Sequence, residues 1–71
     1  MATGTLKMWN AEHGYGFIAD DAGGPDTYLN ISALQSAGIE PASLRKGERL
    51  TFDVAAGREG KTRAGNVRRL D

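Results

Sequence analysis

Cysteine is absent from this 71-residue sequence, and histidine occurs only once, as His13. Without cysteine the chain can form neither a disulfide nor a thiolate zinc site, and a single histidine argues against a metal centre. Apolar side chains alone must therefore hold the fold together. A domain of this length buries only about 60% of the surface that its unfolded chain exposes. We expect one domain of marginal stability over residues 1–71, with no metal and no cofactor.

Long hydrophobic runs are also missing. No stretch approaches the roughly 18 apolar residues that a membrane-spanning helix requires. Residues 1–7 do not combine a basic segment with an apolar run, as a signal peptide would. From these absences we expect a cytoplasmic protein that does not contact a membrane.

Neither sign of charge is in excess, because nine basic side chains balance nine acidic ones. Nucleic-acid-binding domains are more often basic overall. The charges are nevertheless unevenly distributed, with a balance of −3 over residues 1–30 and +4 over residues 41–71. The basic part is either a nucleic-acid surface or ordinary solvated strand and loop charge, so net charge leaves the function open.

Glycine, by contrast, is abundant, and the ten glycines help to divide the chain into short segments. Short segments between frequent turns are typical of a small all-β barrel or sandwich. The pattern predicts five strands, at Thr3–Asn10, Tyr15–Asp20, Thr27–Ile31, Glu48–Ala55 and Thr62–Leu70. Five such strands favour a closed or nearly closed barrel, which also hides the strand edges.

Between the third and fourth strands, Ser32–Gln35 is predicted to form one helical turn with Ser32 as its N-cap, and a long connection follows over 38–47. The fourth strand has the clearest alternation of apolar and polar residues. The aliphatic and aromatic side chains on the inner faces make a sufficient core: Leu6, Ile18, Leu29, Leu34, Leu50, Phe52, Val54 and Val67.

The segment Gly14–Ile18 carries the most functional information. Successive side chains of a strand point to opposite faces, so Tyr15 and Phe17 share one face and Ile18 lies on the other. If Ile18 points into the barrel, the two aromatic rings point toward solvent. The third strand repeats this pattern, with Leu29 inside and Tyr28 outside. The alternative is that Tyr15 and Phe17 belong to the core and Ile18 is exposed, since aromatic residues are more often buried.

An outward group of aromatic rings suits a protein that binds single-stranded nucleic acid. Every base has a flat π-face, and stacking is worth about 1–3 kcal/mol per base without regard to sequence. A contiguous exposed apolar patch without a ligand would be unfavourable.

These segments resemble the bacterial cold-shock protein family. Residues 4–18 are similar to the family's opening, which typically reads Gly-x-Val-Lys-Trp-Phe-Asn-x-x-Lys-Gly-Phe/Tyr-Gly-Phe-Ile. Residues 26–34 are similar to its Asp-Val-Phe-Val-His-Phe-Ser-Ala-Ile, and residues 64–67 to its closing Ala-Ala-Asn-Val. The likeness spans nearly the whole chain. It implies the oligonucleotide/oligosaccharide-binding (OB) fold, a five-stranded antiparallel barrel, and binding of single-stranded RNA or DNA.

Carried over by position, the resemblance assigns stacking to Trp9, Tyr15, Phe17 and Tyr28. Lys7 would meet the phosphate backbone, and Arg63 stands where the family has a base-contacting Gln. The chain also departs from the family's pattern: Met8 replaces a Trp, His13 a Lys, Asn30 a His, Ile31 a Phe, Thr62 a Pro, and Ile39 an aromatic residue. The resulting candidate site is Lys7, Met8, Trp9, His13, Tyr15, Phe17, Tyr28, Asn30 and Arg63.

Other groups of residues in the sequence give weaker functional signals. Asp20, Asp21 and Asp26 lie together in the sequence but lack the spacing of a calcium loop. The glycines around Tyr15 lack the Lys-Ser/Thr of a phosphate-binding loop. His13 in a turn is interpreted as a surface residue or a phosphate contact, and no catalytic residues are predicted.

The sequence leaves two candidate functions open. The first is a monomeric, cytoplasmic nucleic-acid chaperone that binds pyrimidine-rich single strands weakly, without enzymatic activity. The second is a protein-interaction module on the same fold, whose nucleic-acid face has been eroded at Met8, Asn30, Ile31 and Ile39. Zero net charge favours the second function, and the retained aromatic residues favour the first.

Overall fold

A computed structural model describes residues 1–57 and 61–70. Its strands are β1 (Ala2–Asn10), β2 (Tyr15–Asp20), β3 (Thr27–Asn30), β4 (Arg49–Ala56) and β5 (Thr62–Arg69). One helix, α1 (Ile31–Ala37), follows β3, and a 3-10 turn at Pro41–Ser43 lies in the connection to β4. The strands close a barrel in the order β1-β2-β3-β5-β4. The predicted all-β, five-stranded OB-type barrel is confirmed.

The barrel closes because β1 is long enough to pair with two neighbours. It runs antiparallel to β4 over its first residues and to β2 over most of its length, and Gly4 pairs with both strands. A Cβ atom at Gly4 would lie 2.5 Å from the carbonyl oxygen of Ala19, so a larger residue would force the strands apart. The other end of the barrel is closed by a short parallel contact between Tyr28 of β3 and Arg63 of β5.

The core lies inside the barrel and under α1. Seven of the eight predicted core residues are fully buried, and Leu44 and Ala64 complete the set. Val54 is the exception, because it is 47% exposed. Strand alternation places it on the same side as Phe52, but β1 begins at Ala2, which pairs with Phe52. Beyond that pair, the end of β4 is paired with β5 alone. Val54 therefore lies past the covered part of the barrel.

Helix α1 begins earlier than the sequence predicted, and its N-cap is Asn30 rather than Ser32. The Asn30 Oδ1 atom accepts a 2.9 Å hydrogen bond from the backbone N–H of Ser32, which satisfies one of the free donors of the first turn. Ile31 is thus the first helical residue instead of the last residue of β3. The helix ends at Gly38, whose φ of 74° is the left-handed conformation that favours glycine. Leu34, fully buried, anchors the helix to the core.

An exposed ion pair connects the start of β4 to the end of β2. The Arg49 guanidinium donates two hydrogen bonds to the Asp21 carboxylate, at 2.8 and 2.6 Å. These hydrogen bonds to Arg49 lower the pKa of Asp21 below its ordinary value.

Among residues 1–57 and 61–70, the structure contains no helix with the length and hydrophobicity that a membrane-spanning helix requires.

Candidate functional site

Three aromatic rings lie together on the outside of the barrel. Tyr15 and Phe17 project from β2 and Tyr28 from β3, while Ile18 and Leu29 are fully buried on the inner side. The predicted orientation of both strands is confirmed, and the alternative with the aromatic rings in the core is wrong. The outer surface formed by Tyr15, Phe17 and Tyr28 is called the aromatic face below.

The rings of the aromatic face support one another. Phe17 and Tyr28 are register partners with ring centroids 5.9 Å apart, and Phe17 also meets Tyr15 edge-on at 6.1 Å. Tyr15 and Tyr28 are nearly parallel, with an interplanar angle of 19° and a centroid separation of 6.5 Å. Aromatic pairs of this kind contribute about 0.5–1.5 kcal/mol each beyond simple burial. The three half-buried rings are therefore held in place before any ligand arrives.

A β-bulge in β1 decides which of its residues joins this face. Leu6 pairs with Ile18 and Met8 pairs with Phe17, so Lys7 is the extra residue between the two pairs. Directly opposed residues share a face, and Met8 consequently lies beside Phe17 on the outer side. Simple alternation from the buried Leu6 would have turned Met8 inward.

The same bulge turns Trp9 toward the inner side of the barrel, where it is partly buried. Its predicted contact with a base stays a prediction. Trp9 pairs with Gly16, packs against the buried core, and donates a 2.9 Å hydrogen bond from Nε1 to the carbonyl oxygen of Pro41. A Cβ atom at Gly16 would lie 2.8 Å from Trp9 Cε3 and would clash with the Met8 carbonyl oxygen. Gly16 therefore makes room for the indole ring beneath the aromatic face.

A groove of about 570 Å³ runs along one side of the aromatic face. The contact between β3 and β5 places Arg63 beside Tyr28, although the two residues are far apart in the sequence. Neither Lys61 nor Arg63 forms an ion pair with another residue in the described part of the chain. This surface, called the β5 groove, is lined by Phe17, Tyr28, Asn30, Gly57, Lys61, Thr62 and Arg63.

The remaining predicted residues lie at the margins of the aromatic face. His13 lies in the turn between β1 and β2, with its ring centroid 6.5 Å from that of Tyr15. Lys7 is largely exposed and forms a 3.1 Å ion pair with Asp26. This pairing offsets part of the positive charge that Lys7 would present to a phosphate. The sequence also offers the basic side chain of Arg58 as a phosphate contact, and this residue lies outside the described residues.

Asn30 has two contacts that the sequence did not predict. Besides capping α1 through Oδ1, its side-chain Nδ2 donates a 3.1 Å hydrogen bond to the hydroxyl oxygen of Tyr28. Its side chain thus connects the first turn of the helix to the aromatic face. Nothing in the sequence pointed to Gly57, and Thr62 was notable only as the replacement of a Pro. Both reach the groove because β4 and β5 pair up to Ala56 and Thr62.

The acidic residues of the loop between β2 and β3 have partners within the protein. Asp20 accepts a hydrogen bond from the backbone N–H of Ala22, while Asp21 and Asp26 pair with Arg49 and Lys7. No group of three or more His, Cys, Asp or Glu residues is placed to hold a metal ion among residues 1–57 and 61–70.

Comparison with known proteins agrees with this architecture. The model of the 'Cold-shock' DNA-binding domain family matches residues 2–70. Cold shock protein ScoF of Streptomyces coelicolor is 43% identical over 60 residues, which cover 84% of this chain and 87% of that protein. The major cold shock protein of Streptococcus pyogenes is 40% identical over 70 residues, covering 99% and 98% of the two chains. Glycine-rich protein 2 of Nicotiana sylvestris is 39% identical over 66 residues, which are 93% of this chain but 30% of the plant protein.

Proposed function

The chain belongs to the cold-shock domain family of nucleic-acid-binding proteins, and we propose that it binds single-stranded RNA or DNA as a nucleic-acid chaperone. The observation that supports this most directly is the aromatic face, where three rings are held together on the outside of the barrel beside two cationic side chains. Bases would stack on the rings, and Lys61 and Arg63 would meet phosphates along the β5 groove.

The proposed mechanism requires only binding. In a duplex, the faces of the bases are covered by their neighbours, so the aromatic face can stack only on unpaired bases. A protein that binds unpaired strands shifts the pairing equilibrium toward them by its binding free energy. The protein would thereby oppose secondary structure in RNA or DNA and assist transcription or translation. This role needs neither a cofactor nor a catalytic group. We propose that the protein performs it in the cytoplasm as a monomer.

The residues of the aromatic face and those at its margins have different proposed roles in binding. Tyr15, Phe17 and Tyr28 provide planes for stacking. Met8 adds polarizable but flexible apolar contact and no plane. Lys7, His13, Lys61 and Arg63 are the proposed phosphate contacts. Trp9 is a weaker candidate for stacking than these three rings, because it packs against the core and its indole N–H is bonded to Pro41.

We propose that single strands are bound weakly, with a preference for pyrimidine-rich sequences. Asn30 and Ile31 have no aromatic ring for stacking. The Asn30 side chain caps α1. The Ile31 side chain lies against Gly14, so close that a Cβ atom at Gly14 would come within 3.1 Å of it. Ile39 packs against the core. Fewer bases can therefore stack than on a face with aromatic residues at these positions. Pyrimidine runs are favoured modestly by proteins that stack bases without reading their edges.

A protein-interaction module is the second candidate function. It is favoured by the zero net charge and by the ion pair that ties Lys7 to Asp26. On this view the aromatic face would meet an apolar protein surface. The two functions differ in the response to oligonucleotides.

The discriminating experiment compares single-stranded and double-stranded ligands. We expect a fluorescently labelled pyrimidine-rich strand to gain anisotropy on titration with the protein at low salt. The same strand annealed to its complement should bind much less, because its bases are already stacked. Equal binding to both forms, or none to either at high micromolar concentrations, would contradict the proposal and favour the protein-interaction module.

The salt dependence should be shallow. Each phosphate neutralised on a single strand contributes about −0.7 to the slope of log affinity against log salt concentration. Since Lys7 is partly offset by Asp26, two or three cations remain near the aromatic face. We expect a slope on the order of −1 to −2. A much steeper slope would show that the basic residues elsewhere on β4 and β5, and not the aromatic face, dominate binding.

A further inference from the structure

We infer that the Tyr28 hydroxyl is a specificity-determining hydrogen-bond donor, aimed by Asn30 at an oxygen acceptor of the bound strand. This inference rests on the proposed function, since it assumes a strand on the aromatic face. It goes beyond stacking because it assigns a polar role to an atom outside the ring's π-face. The family pattern that this segment resembles has a phenylalanine at this position, so the hydroxyl is an addition in this chain.

The orientation of the Asn30 amide is settled by its neighbour. The backbone N–H of Ser32 can only donate, so the side-chain atom 2.9 Å from it must be the amide oxygen. The amide nitrogen therefore faces Tyr28, at 3.1 Å from its hydroxyl oxygen. An amide NH₂ group can only donate, and the Tyr28 oxygen consequently serves as the acceptor in this contact.

The phenolic proton of Tyr28 is left for another partner. Because the oxygen accepts from Asn30, its own O–H must point away from Asn30. Among residues 1–57 and 61–70, the Tyr28 hydroxyl donates no hydrogen bond, and its one contact is the bond that it accepts from Asn30. Tyr28 lines the β5 groove, where a bound strand would lie beside Arg63 and Thr62. The hydroxyl proton is thus available to that strand.

The neighbouring groups favour an oxygen acceptor as the target. The Lys61 ammonium and the Arg63 guanidinium, which line the same groove, are donors only. Together with the Tyr28 hydroxyl, they form a rim that complements base carbonyl oxygens or phosphate oxygens. Exocyclic amino groups, such as that of adenine, would meet this rim donor to donor. An acceptor on a base would make the contact sequence-dependent, and an acceptor on phosphate would make it uniform.

Asn30 is a positioning residue in this scheme. Its oxygen is fixed by the first turn of α1, and its nitrogen then fixes the direction of the Tyr28 proton. Asn30→Asp tests this relation, because a carboxylate still caps the helix. Its second oxygen can only accept, so the Tyr28 O–H would turn toward it and be withdrawn from the groove.

The experiment is a double-mutant cycle of Tyr28→Phe, Asn30→Asp and the double variant. Binding is measured by anisotropy with an oligothymidine and an oligodeoxyadenosine of equal length. Tyr28→Phe keeps the ring, and we expect a loss of roughly threefold to tenfold for oligothymidine, the usual size of one hydrogen bond. A smaller loss for oligodeoxyadenosine assigns the acceptor to a base carbonyl and supports the role in specificity. An equal loss for both strands means that the hydroxyl bonds to phosphate and would overturn the role in specificity.

The added negative charge of Asn30→Asp weakens binding by itself, and the Tyr28→Phe background measures that contribution. We expect Asn30→Asp to cost more in the parent than in Tyr28→Phe. Equal costs in both backgrounds would overturn the positioning role. Unchanged binding by Tyr28→Phe, in a parent that binds single strands, would overturn the inference and leave the proposed function standing. A parent that binds neither strand would instead contradict the proposed function. Thermal unfolding of each variant confirms that the fold is intact during the titrations.

Discussion

Replacement of Leu50 by alanine is expected to lower the free energy of unfolding by about 2–5 kcal/mol, the usual cost of truncating a buried leucine. Leu50 is fully buried and pairs with Gly4 of β1 and with Arg69 of β5, so it lies where three strands meet. Three paired strands can relax little to fill the resulting cavity. The free energy of unfolding of a native domain is typically about 5–15 kcal/mol, so the loss at Leu50 is a large fraction of the total stability.

Urea denaturation followed by Trp9 fluorescence measures this loss. The indole is packed against the core and hydrogen-bonded to Pro41, so its emission should change when the barrel unfolds. Val54→Ala is the matched control, because it truncates an aliphatic side chain on the same strand and the same side. Since Val54 is 47% exposed, we expect a change within about 0.5 kcal/mol. Similar losses for Leu50→Ala and Val54→Ala would contradict the described core.

Replacement of Phe17 by alanine is expected to weaken single-strand binding by about 1–3 kcal/mol, the contribution of one stacked base. Phe17 occupies the middle of the site, in contact with Tyr15 and Tyr28 and opposite Met8. Its removal takes away one stacking plane and loosens the two others. Because the ring is only half-buried, the loss of stability should be smaller than that of Leu50→Ala.

Phe17→Leu separates stacking from packing. Leucine restores much of the apolar volume against Tyr15 and Tyr28 but has no π-face, so stability should recover more than affinity. Anisotropy titrations and urea denaturation of both variants check this. If Phe17→Leu binds as tightly as the parent, the ring contributes apolar contact and not stacking. If Phe17→Ala unfolds as readily as Leu50→Ala, the ring belongs to the core and the proposed interface is wrong.

Local pattern was sufficient for β2 and β3. Strand alternation has a period of two residues, so it places Tyr15 and Phe17 on the face opposite Ile18, and Tyr28 on the face opposite Leu29, without knowledge of any other strand. The burial of Ile18 and Leu29 then shows that the aromatic rings lie on the outer side. The frequent turns likewise predicted five strands, and all five are present. The grouping of Tyr15, Phe17 and Tyr28 opposite the aliphatic residues of their strands could thus be predicted from short segments.

Local pattern failed at the start of α1, where two nearby residues could each act as the N-cap. Asn and Ser are both good N-cap residues, and Ser32 was the predicted N-cap although Asn30 is the observed one. The N-cap lies two residues earlier because the Asn30 side chain accepts a hydrogen bond from the Ser32 N–H. The consequence reaches the site, since the same side chain also bonds to Tyr28.

What the sequence by itself determined are the features set by neighbouring residues: the strands, most of the core, and the grouping of the aromatic rings of β2 and β3 on the faces opposite Ile18 and Leu29. Only the tertiary structure decided the features that depend on pairing between distant segments. The bulge at Lys7 exchanges the sides of Met8 and Trp9, and it is visible only in the register of β1 against β2. Arg63 reaches Tyr28 only through the contact of β5 with β3. Register and strand order arise from closing the barrel around one core, and no single segment contains that information.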